Sequence, residues 1–123
     1  MSNPRQELGK RGETQAAGLL KKKGYKILEQ NYRTRLGEID IIARDKKTLV
    51  FIEVKARASS GYGHPKLAVT PAKQRKISMA ALCYLKETDQ TRAKARFDVV
   101  AVLASGPKPR IEIIKNAFEL AYP

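Results

Sequence analysis

The sequence predicts an α/β fold: a mixed five-stranded sheet flanked by helices in the order α-β-β-β-α-β-β. Three observations carry that prediction. Two segments repeat apolar or small residues at helical spacing, Leu8, Gly12, Ala16, Leu19 and Leu20 in one, Ile77, Ala80, Ala81, Tyr84 and Leu85 in the other. Between them Gly37 to Arg57 reads as two strands of a hairpin, and after the second helix Phe97 to Ala104 is an almost continuous apolar run suited to a strand buried on both faces. A meander followed by a helical crossover returns the chain to the same sheet in parallel, so the sheet is mixed. At 123 residues the chain has room for a real core and is too short for two ordinary domains, so residues 1–123 are expected to form one.

The elements follow in order. Asn3-Pro4 opens the first helix as cap and first-turn proline, and Lys21 to Gly24 closes it with basic residues and a glycine. Glu13 falls on the edge of its buried face. Tyr25 to Asn31 is a short strand, and Thr34 to Gly37 is the turn before the hairpin. Arg57 to Lys66 is a polar loop rich in Gly and Ser. Thr70-Pro71 caps the second helix, which carries Lys73 and Lys76 on its polar side and Cys83 as a packing residue. Gly106 to Pro109 turns the chain, Ile111 to Ile114 makes a last strand, and Asn116 to Tyr122 is expected as a closing helical turn.

Twenty-five Lys and Arg against 12 Asp and Glu give a formal charge of +13, with 42% hydrophobic residues to build a core. A folded protein this basic most often meets a polyanion, nucleic acid before an anionic membrane surface. The longest apolar stretch falls well short of the roughly 20 residues that span a bilayer. The N-terminal residues contain no apolar core of a signal peptide, and the expected location is cytoplasmic. One cysteine excludes an internal disulfide and a thiolate metal cluster.

The hairpin holds three acids where strands favour apolar or neutral side chains. Residues two apart on a strand share a face, so Glu38 goes with Asp40 and Glu53 with Lys55. A connection of two residues (Lys46, Lys47) or of four gives one register, in which Asp40 faces Glu53 and Glu38 faces Lys55. Facing carboxylates repel, so a positive group is expected between them. Lys55 supplies part of it. Two carboxylates are also what a protein usually contributes to a Mg²⁺ site, the remaining ligands being waters and phosphate. That arrangement fits phosphodiester hydrolysis, with Asp40 and Glu53 as metal ligands, Glu13 as an auxiliary one and Lys55 orienting the water or stabilising developing charge. The competing reading is an exposed strand face with ordinary ion pairs, which are worth little. On residue chemistry alone both remain open.

Asp40, twelve intervening residues, then Glu53-Val54-Lys55 resembles the Asp…Glu-x-Lys motif of the restriction-endonuclease-like (PD-(D/E)xK) nuclease superfamily, whose core has the same element order. Glu13 before that motif is similar to the first-helix acid of the archaeal Holliday junction resolvases. Gly12-Glu13, Gly37 to Asp40, Phe51 to Lys55 with Arg57, Lys73, and Arg96 to Asp98 together resemble the YraN family of small bacterial proteins along nearly the whole chain. The resemblance implies a restriction-endonuclease-like core and an intact site for Mg²⁺ (or Mn²⁺). The superfamily's proline before the first motif acid is absent here. Glu38 stands nearby, either as a further ligand or, the reading preferred, as an ion-pair partner of Lys55.

Arg57, Lys73 and Lys76 are candidate phosphate contacts, a solvated basic face being the default. His64 is a candidate proton carrier, though a lone loop histidine beside a proline is more often incidental. Tyr62 can stack on a base or pack its loop. Asp98 is expected to tether its strand through Arg96, outside the site. The leading expectation is thus a metal-dependent endonuclease acting on DNA rather than RNA, branched or structured DNA included. The alternatives are a non-cleaving nucleic-acid-binding module with the same fold and an interaction partner in DNA processing. A symmetric dimer suits paired cuts, and nothing in the sequence demands one.

Overall fold

The computed structural model describes residues 3–58, 69–104 and 108–120. Helix α1 (Pro4–Lys22) leads into strands β1 (Lys26–Arg33), β2 (Glu38–Asp45) and β3 (Thr48–Arg57), then α2 (Pro71–Glu87), β4 (Ala95–Leu103) and β5 (Arg110–Phe118). The five strands form one sheet in the order β1-β2-β3-β4-β5, antiparallel except for the β3–β4 pair. The expected element order and mixed sheet are therefore observed.

Burial follows from the sequence pattern. Leu49 to Val54 in β3 and Phe97 to Val102 in β4 are buried at every position, because helices cover both faces of the central strands. On one face Ala16, Ala17 and Leu20 of α1 pack on Ile41, Ala43, Val50, Ile52, Val100 and Val102. On the other, Ile77, Ala80, Ala81, Tyr84 and Leu85 of α2 pack on Ile42, Leu49, Phe51, Phe97 and Val99. Thr70 caps α2, its Oγ1 accepting from the Lys73 N–H at 3.2 Å, with proline in the first turn. Gly24, at φ 91°, follows the end of α1 and donates to the Lys21 carbonyl at 3.0 Å.

Two glycines set the spacing of helices on sheet. A Cβ on Gly12 would stand 2.7 Å from the Cβ of Ala56, so α1 lies against β3 at the turn that also carries Glu13. A Cβ on Gly37 would land on the carbonyl oxygen of Lys76, so the β1–β2 turn is seated on the α2 backbone. Further along, the Tyr32 ring meets Tyr84 edge-on at 5.4 Å and its hydroxyl donates to Glu87 Oε2 at 2.8 Å, joining β1 to α2 a second time.

At the hairpin end of β3 and β4, Arg96 gathers a closed polar cluster. Its guanidinium donates to both oxygens of Asp98 at 3.1 and 3.2 Å, to Asp45 Oδ2 at 2.8 Å and to the Tyr25 hydroxyl at 2.8 Å. Asp98 is wholly buried and also accepts from the Asn116 N–H at 3.1 Å, so it tethers strands as expected.

The C-terminal segment departs from expectation. Instead of a helical turn from Asn116, β5 continues to Phe118. Asn116 takes φ 53° beside a register shift opposite Phe97 and Val99, a bulge that turns its N–H to Asp98 and lets Phe118 stack on Phe97 at 4.9 Å. Tyr122 lies outside the described residues. Strand β1 is likewise displaced toward the turn, running through Asn31 at φ 54° to Arg33. Among the described residues no helix is long and apolar enough to cross a membrane.

The seat of Gly37 on α2 leaves no room for a methyl group. Gly37→Ala is expected to lower unfolding free energy by about 1–3 kcal/mol in urea denaturation with an unchanged m value.

Candidate functional site

The β2–β3 ladder aligns Asp45 with Thr48, Ala43 with Val50 and Ile41 with Ile52. This is the register expected from the sequence, closed by Lys46-Lys47 with Lys46 at φ 57°. Asp40 and Glu53 come one step beyond the last of these pairs. There β2 changes face: Ile39 packs in the α2-side cluster and Ile41 in the α1-side one, although residues two apart on a regular strand share a face. At the same point the N–H of Val54 donates to Asp40 Oδ2 at 2.8 Å. The side chain thus takes up a β3 donor where the aligned pairs end.

Glu53 is only 9% exposed and carries two cations on one oxygen. Lys73 Nζ lies 3.3 Å and Lys55 Nζ 3.5 Å from Oε1. Lys55 arrives from the same strand two residues on; Lys73 comes from the first turn of α2, fixed there by the Thr70 cap. Burial first, then the neighbouring Lys73, pushes the Lys55 ammonium below its usual range, with Glu53 pulling the other way. At Lys73 burial also pulls down, but the charge of Glu53 and the hydrogen bond to it outweigh that and raise the group.

The carboxyl of Asp40 is pushed up to about 7, by burial first and the charge of Glu53 second, against the partial relief of the Val54 N–H. Glu13 is half-buried on α1 and also raised, by burial and then by Glu53, while a hydrogen bond with the Asn31 side chain lowers it. Glu38 and Glu13 both add to the field at Asp40. The three acids expected to act together therefore feel one another electrostatically.

Other expected residues fall differently. Glu38 is exposed and pairs with Arg33 at 3.5 Å rather than with Lys55. The reason is the strand order: Arg33 and Glu38 are aligned across the β1–β2 turn, whereas the aligned β2–β3 residues begin only at Ile41. Lys76 lines a cleft of about 460 Å³ together with Arg33, Arg35, Leu36, Glu53 and Lys73. Lys73, expected on the phosphate side alone, is also the main partner of Glu53. Arg57 ends β3, its carbonyl accepting from the Ala104 N–H at 2.8 Å, and does not line that cleft. His64 and Tyr62 lie outside the described residues.

The contact the sequence did not disclose is Lys73 to Glu53, since it depends on where α2 lands. Among the described residues no three His, Cys, Asp or Glu side chains stand close enough to form a ready metal cage. The donor set still fits a hard divalent cation. Asp40 and Glu53 offer oxygen ligands, their charges are adjacent and poorly solvated, and Mg²⁺ commonly takes only one or two protein carboxylates.

Residues 12–102 match the model of an uncharacterised protein family, UPF0102. The chain is 56% identical over 119 residues to a UPF0102 protein of Desulfosudis oleivorans, covering 97% of this chain and 95% of the relative. It is 57% identical to one of Geobacter metallireducens, covering 99% of this chain and 100% of the relative. A third relative, of Syntrophus aciditrophicus, is 59% identical across 93% of this chain and 90% of its own length.

The raised carboxyl of Asp40 has a consequence for stability. Between the ordinary carboxylate range and about pH 7 the folded protein holds a proton that the unfolded chain has released, so stability from this group falls as pH rises through that window. Asp40→Asn removes the loss. The variant is expected to gain on wild type by about 1–3 kcal/mol on going from pH 5 to pH 8, read by urea denaturation at both.

Proposed function

The chain belongs to the UPF0102 (YraN) family, and from the site it carries we propose that it is a metal-dependent nuclease of the restriction-endonuclease-like kind that hydrolyses phosphodiester bonds in DNA. One observation bears most of the weight: Asp40 and Glu53 are neighbouring, poorly solvated carboxylates at the end of a rigid ladder, and Glu53 opens into a cleft bordered by Arg33, Arg35, Lys73 and Lys76. A protein that only binds a polyanion gains nothing from holding acids against it. A protein that cuts one needs them.

Asp40 and Glu53 would hold Mg²⁺ or Mn²⁺, with Glu13 reaching it directly or through water; when bound, the ion supplies Lewis acidity at the scissile phosphate and lowers the pKa of a coordinated water. The chain's own groups do the rest. Lys55, half-buried on Glu53, orients the attacking water or meets the negative charge that develops on phosphorus oxygens, and low solvation strengthens its field there. Lys73 is the more exposed of the two ammonium groups, with 46% of its side chain accessible, and faces an incoming phosphate first. Arg33, Arg35 and Lys76 hold the flanking backbone by charge.

A second reading has an observation in its favour. Glu53 is already neutralised by Lys55 and Lys73, so the site is electrostatically tolerable without a metal, as in a module that binds nucleic acid and does not cut. Titration calorimetry separates the two. The nuclease reading expects Mg²⁺ or Mn²⁺ uptake by wild type that is lost in Asp40→Asn, and cleavage of DNA reduced about 100-fold or more in Asp40→Asn and Glu53→Gln at unchanged circular dichroism. Salt-sensitive DNA binding with no metal uptake in either protein would move the assignment to the binding module.

A further inference from the structure

We propose that Leu36 is a wedge that enters nucleic acid where base stacking is already broken, and so makes distorted or branched DNA the substrate of the cleft. The inference rests on the nuclease reading above and adds to it the class of substrate. Leu36 is 56% exposed, the large hydrophobic residue left in solvent among the described residues. A lone surface leucine ordinarily means little. Three features set this one apart.

The first is rigidity. The Thr34 N–H donates to the Gly37 carbonyl at 2.8 Å, and Thr34 Oγ1 accepts from the N–H groups of Leu36 and Gly37, each at 3.1 Å. With Gly37 seated on the backbone of α2, the turn cannot fold Leu36 back onto the core. The second is charge: Leu36 directly follows Arg35 and lines one cleft with Arg33 and Arg35, both exposed, so an anion is drawn toward it. The third is position. Leu36 lines the same cleft as Glu53, Lys73 and Lys76, so a backbone held by those cations brings its bases to the leucine.

An apolar side chain beside exposed cations, in a cleft also lined by Glu38 and Glu53, suits a ligand with phosphates outside and flat apolar faces inside. Intact duplex hides those faces, and inserting between stacked pairs costs unstacking energy; a junction, bulge or mismatch has already met part of that cost. Leu36 therefore discriminates by stacking, while the arginines and lysines bind any backbone alike.

The test is fluorescence of 2-aminopurine placed at the branch of a three-way DNA junction, in EDTA so that strands stay uncut. Binding is followed separately by the anisotropy of a fluorescein on a distal arm, with linear duplex as comparison. Wild type is expected to raise 2-aminopurine emission about threefold on saturation and to prefer junction over duplex about tenfold. Leu36→Ser should lose the rise and most of the preference while its duplex affinity stays within about twofold, and Leu36→Met should retain both. A melting curve for each variant checks the fold, which an exposed side chain leaves intact. If Leu36→Ser matches wild type in emission and preference, the wedge is wrong and the nuclease reading stands, since metal uptake and cleavage through Asp40 are measured independently. If wild type binds neither DNA and Leu36 instead governs capture of a protein, both readings fall.

Discussion

The repulsion between Asp40 and Glu53 is the constraint around which this end of the molecule is arranged. Two carboxylates with little water around them stay adjacent only if the backbone leaves them no room to separate and other groups share the charge. Strand β3, buried on both faces from Leu49 to Val54, removes the room. The Val54 N–H, Lys55 and Lys73 share the charge, each delivered by a different device: a strand donor at the point where β2 changes face, a side chain two residues along, and a capped helix turn. The arrangement is costly for a fold to maintain, and costly charge placement is where chemistry is most often found.

The opposite end of the same strands provides an internal control. Around Arg96, two acids, a tyrosine and a backbone N–H make a closed set: the wholly buried Asp98 is raised by burial, against the pull of the Asn116 N–H and Arg96, whereas Asp45 is held below the usual carboxylate range, first by its hydrogen bond to Arg96. Asp40 is pushed the other way, to about 7. Both sites mix acids and bases on neighbouring strands of one sheet. In one the guanidinium satisfies the acids by direct contact; in the other Asp40 takes a single backbone donor among the described residues while three further acids bear on it. The first is an anchor, and the second is where the proposed cation would bind.

How far the sequence disclosed this depended on how local each interaction is. The β2–β3 register was legible because residues two apart share a face and a short Lys46-Lys47 connection allows one alignment, observed from Asp45–Thr48 to Ile41–Ile52, one step short of Asp40 and Glu53. Glu38 pairs with Arg33 across the four-residue Thr34 to Gly37 turn and not with the expected Lys55; the spacing of that turn, legible in the sequence, sets Arg33 against Glu38. Lys73 on Glu53 was not legible, since it joins residues twenty apart through the placement of a helix on a sheet. The continuation of β5 was hidden for another reason. Its bulge rests on an asparagine at positive φ, a residue that in sequence reads equally well as the end of a strand.

The contact of Gly37 with the α2 backbone, reinforced by Tyr32 on Tyr84 and Glu87, makes the two walls of the cleft a single rigid piece. Among the described residues the two walls therefore have no closing motion to complete and little side-to-side slack to lose when the cleft is filled. Its association rate is then governed by diffusion and by the field of a strongly basic surface, with orientation rather than rearrangement as the slow requirement. For the proposed DNA ligand the same logic would govern selectivity: a channel of fixed width would accept a ligand that bends to suit it and turn away a stiff one, so the mechanical compliance of the ligand would be the property that is read.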